Sequence, residues 1–175
     1  MNTTDRILGE SVRPPTEREL MDPWWACRYA KDVLNGRFPE GEAAIAKNTW
    51  IALYYATQST KGRFPEGEAA IAMDPIASYK YATEVIKGRF PEGEDVIATS
   101  PGCAAYAVDY AINVIKGRWP EAEEAITRAL KDSSDESEGG DEEAALELIR
   151  KYINAFPEVS KLEWVMNGLL DWLDL

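Results

Sequence analysis

An internal repeat constrains this chain more than any other feature of its sequence. The motif GRFPEGEAAIA begins at Gly36 and recurs unchanged at Gly62, and close variants begin at Gly88 and Gly117. The first three copies are 26 residues apart, and the fourth follows after 29 residues. Self-similarity at a period of about 20–50 residues is typical of repeat architectures, in which stacked units bury a shared core.

Each copy carries the signals for a first, longer helix. Asp, Asn and Ser are good N-cap residues, because their side-chain oxygen accepts a bond from a free N–H group of the first turn. The predicted caps are Asp22, Asn48, Asp74 and Ser100. Gly36 is predicted to end the first of these helices in a left-handed conformation. In the fourth copy the three additional residues 102–104 are predicted to lengthen the helix by nearly one turn.

A proline in each motif predicts an elbow and a second helix. The residue before a proline is disfavoured in a helix, so Phe38 is predicted to be extended, with its ring in the core. Pro39 is predicted to open a shorter helix. Because one such unit cannot bury its apolar face alone, the sequence predicts an all-α fold, a short α-solenoid of four helix–elbow–helix repeats plus C-terminal helices. In the second copy Ser59 and Thr60 replace a Val-Leu pair, and buried polar groups need partners there.

Composition outside the repeats predicts four segments. They are an N-terminal extension (1–21), the four-repeat array (22–131), an acidic flexible linker (132–143) and a C-terminal helical pair (144–175). The helices of the pair are predicted at 144–156 and 159–173. We expect the first to cover the apolar end of the array. The second has one apolar stripe, so we expect it to dock on its own domain or to form a homo-oligomer.

Composition also excludes several classes of function. The chain has 31 acidic and 19 basic residues and a net charge of −12, which argues against direct binding to nucleic acid or to anionic membranes. It has no histidine, and its two cysteines, Cys27 and Cys103, belong to no metal-binding motif. No apolar run is long enough to span a membrane. We therefore expect a soluble, intracellular protein with no catalytic residue, no cofactor and no metal.

The variable positions of the repeats are rich in aromatic residues, which are favoured anchors of protein interfaces. The candidate partner-binding residues are Trp25, Tyr54, Tyr79, Tyr106, Trp164 and Trp172. Trp24 and Trp50 share one repeat position, and we expect them to stack on each other. The repeated arginine, first seen as Arg37, has glutamates three and five residues later. This spacing favours a neutralised charge network between repeats over a phosphate site.

The recurring pattern YAxxVIKGR[FW]PE[GA]E resembles tandem repeats of uncharacterised proteins from tailed bacteriophages. The resemblance covers about 110 residues, from Asp22 to Lys131. It implies a phage origin and a repeat scaffold, and it supplies no catalytic residue or substrate. By analogy, small acidic phage proteins often inhibit host machinery or host defences, anti-CRISPR proteins included.

Three functional hypotheses follow. The first is a non-enzymatic protein-binding scaffold, located in the cytoplasm of the infected bacterial host, that sequesters or inhibits a host protein or defence complex. The second is an acidic nucleic-acid mimic that fills a DNA- or RNA-binding groove. It is weakened because the array has 13 basic and 15 acidic residues and is nearly neutral. The third is a carboxylate-dependent hydrolase that uses paired glutamates such as Glu40 and Glu42.

Overall fold

The computed structural model of the chain describes residues 14–133 and 142–161. All regular secondary structure in these two ranges is helical, which confirms the predicted all-α class. The chain divides into two compact units between Val96 and Ile97, so the predicted array 22–131 extends over both units.

The α-helices are α1 (Glu17–Leu20), α2 (Pro23–Tyr29), α3 (Pro39–Ile45), α4 (Thr49–Tyr55), α5 (Pro65–Ile71), α6 (Pro75–Lys80), α7 (Pro91–Thr99), α8 (Ala104–Tyr110), α9 (Pro120–Ser133) and α10 (Glu142–Ala155). Four π-helical segments directly continue α2, α4, α6 and α8, and they are π1 (Ala30–Leu34), π2 (Ala56–Thr60), π3 (Tyr81–Ile86) and π4 (Ala111–Ile115). A 3₁₀ turn, Pro157–Lys161, follows α10. The predicted helix–elbow–helix unit is therefore confirmed, with a long helix that is half α and half π.

The long helices of the first three copies begin at the predicted caps. The Asp22 side chain accepts hydrogen bonds from the backbone N–H groups of Trp24 and Trp25 at 2.9 and 3.1 Å. Asn48 and Asp74 each cap the N–H group three residues later.

The prediction for the fourth copy is wrong. Its helix begins at Ala104, where the N-cap position belongs to Cys103 and carries no side-chain bond. Gly102 has a φ of 70°, a left-handed conformation that belongs to a turn. The additional residues therefore form a turn before the helix and add almost nothing to its length.

The long helices also end differently from the prediction. The left-handed residue is the one before each glycine, with φ between 47° and 56°, and these residues are Asn35, Lys61, Lys87 and Lys116. The N–H groups of Asn35 and Gly36 both bond to the carbonyl oxygen of Ala30. A π-helical hydrogen bond joins residues five apart, so the Ala30 carbonyl oxygen accepts the N–H group of Asn35. The chain therefore reverses at Asn35, one position before the glycine.

The elbows bury their aromatic rings as predicted. Phe38, Phe64, Phe90 and Trp119 are all buried. A different glycine proves sterically important, the one at the third position of α3, α5 and α7. A Cβ atom added to Gly41 would lie 2.7 Å from the Cβ of Ala26, and one on Gly93 would lie 2.6 Å from the Cβ of Ser78. The short helix therefore packs against its long helix through a glycine opposite a small residue.

Incomplete copies stand at both ends of the described array. Helix α1 precedes the Met21-Asp22 pair as α5 precedes Met73-Asp74, and it packs on α2 and α3. It therefore corresponds to a short helix without its long one.

Helix α10 corresponds to a long helix, and it packs on α8 and α9. This contact confirms that the first C-terminal helix covers the end of the fourth copy. Within the predicted linker, 132–133 belong to α9 and 142–143 to α10. Residues 134–141 and most of the predicted helix 159–173 lie outside the described ranges.

Candidate protein-binding surface

A polar network with a buried tyrosine hydroxyl holds the elbows at Phe38, Phe64 and Trp119 in place. Arg37 donates from Nε and Nη2 to the two carboxylate oxygens of Glu42, at 2.8 and 2.7 Å. The Tyr55 hydroxyl of the next copy donates to Glu42 Oε1 at 2.7 Å, and it accepts the backbone N–H of Phe38 at 2.7 Å. The arginine, the glutamate, the tyrosine and the N–H group of the elbow thus form one hydrogen-bonded network.

The network recurs with nearly the same geometry. Tyr81 donates to Glu68, which Arg63 binds with two hydrogen bonds. Arg89 binds Glu94 in the same way in the first unit, and Arg118 binds Glu123 in the second. The prediction that glutamates neutralise the arginine column is confirmed. The main partner, however, belongs to the same copy, and the link from Arg37 to Glu66 of the next copy is longer, at 3.6 Å.

Ionisation in this network argues for a structural role. The hydrogen bonds from Arg37 lower the pKa of Glu42 against the opposing effect of burial, and Arg63 lowers the pKa of Glu68 in the same way. Burial raises the pKa of Tyr55, and the Glu42 carboxylate raises it further. A catalytic acid needs a carboxyl group with a raised pKa, which is the opposite direction.

The outer surface of the first unit carries an apolar patch. In the described ranges the exposed large apolar side chains are Met21 (76% exposed), Trp24 (52%), Leu34 (44%), Trp50 (47%) and Met73 (79%). All but Leu34 lie at or just before the N-terminal end of a long helix. Helices α2, α4 and α6 pack side by side in this order. The apolar patch therefore consists of Met21, Trp24, Trp50 and Met73, without Leu34, and it follows one end of three neighbouring helices.

Aromatic contacts organise part of this patch. The ring of Trp24 meets that of Tyr54 at 6.0 Å between centroids, with 41° between their planes. The Lys31 ammonium group donates to the Tyr54 hydroxyl at 2.5 Å and lies 5.0 Å from the ring centroid. This hydrogen bond raises the pKa of Lys31. The expected stacking of Trp24 on Trp50 is wrong, since Tyr54 takes that place.

We call Trp24, Trp50 and Tyr54 the aromatic surface. Of the residues proposed from the sequence, only Tyr54 belongs to it. Trp25 is half-buried and stacks on Tyr29 at 4.9 Å between centroids, with 13° between the ring planes. Tyr79 in the first unit and Tyr106 in the second are half-buried, and Trp164 and Trp172 lie outside the described residues.

Sequence reasoning passed over Trp24 and Trp50 because their shared repeat position suggested mutual packing. The signal that could have identified them is their place two residues after a helix cap. In the first turn of α2 the inward positions belong to Ala26 and Cys27, which are fully buried. Trp24 lies two positions before Ala26, about 200° around the helix axis from it, and is therefore exposed.

The described ranges can also be compared with the requirements of metal sites, reactive thiols and membrane-spanning helices. They contain no group of three or more His, Cys, Asp or Glu side chains suited to a metal ion. Burial raises the pKa of Cys27 to about 12, which disfavours its thiolate. None of the helices there combines the length and the apolar character needed to cross a bilayer. Comparisons with protein-family models, curated proteins and solved structures gave no match to this chain.

Proposed function

We propose that this chain is a non-enzymatic protein-binding module that contacts its partner through the aromatic surface, with Met21 and Met73 at the margin. The observation that carries the proposal is the clustering of exposed large apolar side chains at one end of α2, α4 and α6. Contiguous apolar patches on a protein surface mark interaction sites. Tryptophan and tyrosine are also the residues most enriched among strong interface anchors.

The buried networks support this role because they keep the platform rigid. Tyr55 and Tyr81 are completely buried, and each joins its own copy to the carboxylate of the preceding one. Trp50 lies on α4, the helix that Tyr55 fixes in this way, and α2, which carries Trp24, packs against α4. A surface that is already ordered loses little conformational entropy on binding, which favours affinity.

The resemblance to phage repeats suggests a bacterial host protein or defence complex as the partner, inhibited by occlusion. The nucleic-acid mimic is less well supported, because the aromatic surface combines apolar rings with the cation of Lys31. The hydrolase is less well supported because Glu42 and Glu68 have lowered pKa values and are held by arginine.

The decisive experiment removes the aromatic surface and measures binding to the partner. The chain is used to capture proteins from a bacterial host lysate, and the captured protein is then titrated by calorimetry. We expect Trp24→Ala combined with Trp50→Ala to weaken binding by about tenfold or more. Leu34→Ala is the matched control, since Leu34 is an exposed apolar residue away from the patch. Equal affinity of the double variant and the control would contradict the proposal.

Salt dependence separates this proposal from nucleic-acid mimicry. Binding through aromatic contacts should change little with ionic strength, whereas binding by many carboxylates should weaken steeply. Deletion of 134–141 provides the second criterion. Steep salt dependence, together with loss of binding after this deletion, would favour the mimic.

A further inference from the structure

A groove of about 550 Å³ opens in the second unit between the start of α8, the end of α9 and the first half of α10. Its apolar lining includes Ala104, Ala105, Ala129, Ala145 and Leu148. Asp132, Glu147 and Lys151 also line it. Lys151 is held in an ion pair with Asp109. The groove is therefore an apolar cleft with charged residues among its lining.

The chain after α10 cannot pack as a short helix does in the complete copies. There, the short helix approaches its long helix where a glycine faces a small residue, as Gly41 faces Ala26. The corresponding residues after α10, counted from Tyr152 and Phe156, are Val159 and Ile149. Both are large, and both are already buried. The following residues need a different surface.

We propose that residues 162–175 dock into this groove of the same molecule. Leu162, Val165, Met166, Leu169 and Leu173 recur at helical spacing and form one apolar stripe, with Glu163 and Asp171 off it. The other segment that borders the groove in sequence, 134–141, contains only Ser, Asp, Glu and Gly. It has no apolar side chain with which to fill an apolar cleft.

The length and direction of the chain fit this placement. The groove is lined by α10 from Ala144 to Lys151, and the described chain ends ten residues later at Lys161. Pro157 ends α10, so the chain can reverse there. Fourteen residues form a helix of about 21 Å, the same length as the 14-residue α10. A segment of this length is therefore long enough to reach the groove.

Hydrogen exchange of the full-length chain, followed by mass spectrometry, tests the proposal. We expect the amides of 162–175 to be protected in the wild type and to exchange about tenfold faster or more in Ala105→Trp, which fills the groove. Ala105 shares its repeat position with Trp24 and Trp50, so the helix accepts tryptophan there. Ala69→Trp is the control, because Ala69 is an exposed alanine on a short helix.

A second pair of variants alters the segment and leaves the groove intact. Leu169→Asp places a charge on the apolar stripe and should release the segment, whereas Asn167→Asp adds the same charge off the stripe and should not. Three results would overturn the proposal. They are exchange of 162–175 at unstructured rates in the wild type, protection that Ala105→Trp and Leu169→Asp leave unchanged, and protection that appears only at high protein concentration, which would identify a second copy as the occupant.

Discussion

The two ends of the array differ in how the tyrosine of the terminal long helix is buried and hydrogen-bonded. At the C-terminal end, Tyr152 is completely buried, accepts the backbone N–H of Trp119 at 2.8 Å and contacts Glu123 at 3.2 Å. At the N-terminal end, Tyr29 is only half-buried. The position that holds Glu42 in the first copy is occupied there by Thr16, which caps α1 through a reciprocal pair of bonds with Glu19.

The comparison separates ring packing from hydrogen bonding. Tyr29 meets Phe38 at 5.0 Å between ring centroids, and Tyr152 meets Phe156 at 4.9 Å, so both tyrosines pack on an aromatic ring equally well. They differ in whether a preceding copy supplies a glutamate and an elbow N–H. A buried hydroxyl needs such partners, so the polar network accounts for the complete burial of the tyrosine.

The largest expected effect contrasts an interior tyrosine with the N-terminal one. Tyr81→Ala should lower the free energy of unfolding by about 3–5 kcal/mol, because it empties a core position and removes the partner of Glu68. Tyr29→Ala should cost clearly less. Chemical denaturation of both variants gives the comparison, and equal losses would show that hydrogen bonding plays no part in it.

Removing only the hydroxyl group sharpens the contrast. Tyr152→Phe should destabilise the chain by about 1–3 kcal/mol, since the Trp119 N–H loses its buried acceptor. Tyr29→Phe should change stability by less than about 0.5 kcal/mol, because position 16 holds no carboxylate. Thermal melts of the two variants measure the difference. A neutral Tyr152→Phe would mean that ring packing alone closes the C-terminal end.

The close contact between a short helix and its long helix differs between the third copy, which has a glycine there, and the fourth, which has an alanine. Gly93→Ala should cost about 1–3 kcal/mol, because the new Cβ would overlap Ser78 and Phe90. The fourth copy has Ala122 at this position and has adapted to it. Gly88→Ala is the control, since its Cβ would come no closer than 3.8 Å to Ile86. If Gly93→Ala melts like Gly88→Ala, the helices are not held by this contact.

Acid should weaken the interior networks. The pKa values of Glu42 and Glu68 are lower in the folded chain than the ordinary 4.5, so their contribution to stability is present above that pH. It is lost as the pH falls below 4.5 and through the lowered folded values. Melting temperatures measured from neutral to acidic pH should fall more steeply for the wild type than for Glu68→Gln. Parallel curves would exclude Glu68 as the titrating group.

The smallest expected effect concerns a defect in the second copy. The Ser59 hydroxyl is buried and has no hydrogen-bond partner, whereas the neighbouring copies have valine at this position. Ser59→Val should therefore stabilise the chain by about 1 kcal/mol. Thr60→Val is a useful comparison, because the Thr60 hydroxyl donates to a backbone carbonyl oxygen and its loss brings no such gain. Thermal melts that show no gain for Ser59→Val would contradict the interpretation.

Most of the fold was predictable because it depends on local chemistry. The caps Asp22, Asn48 and Asp74 and the proline elbows act through neighbouring backbone groups, so one copy contains the whole signal. The prediction for the helix end was wrong because of the π turn. This turn places the left-handed residue at Lys61 and not at Gly62, and it arises from hydrogen bonds that no residue type indicates.

The candidate site was less predictable because it depends on contacts between copies. Periodicity indicated that Trp24 and Trp50 share a position, but which ring meets Trp24 depends on how far neighbouring helices are offset. Tyr152 lies in the predicted helix 144–156, and that prediction does not identify it as the equivalent of Tyr55. The Phe156-Pro157-Glu158 sequence that follows it is the signal of a shortened fifth copy.

The dependence of each network on a later tyrosine has a consequence for biosynthesis. Glu42 and the Phe38 N–H have their hydrogen-bond partner, Tyr55, later in the chain. Glu123 and the Trp119 N–H likewise bond to Tyr152, which lies 33 residues after Trp119. A ribosome makes the chain from the N-terminus, so an elbow emerges before the hydroxyl that satisfies it. Each of these copies therefore reaches its final hydrogen bonding only when the next long helix has left the exit tunnel.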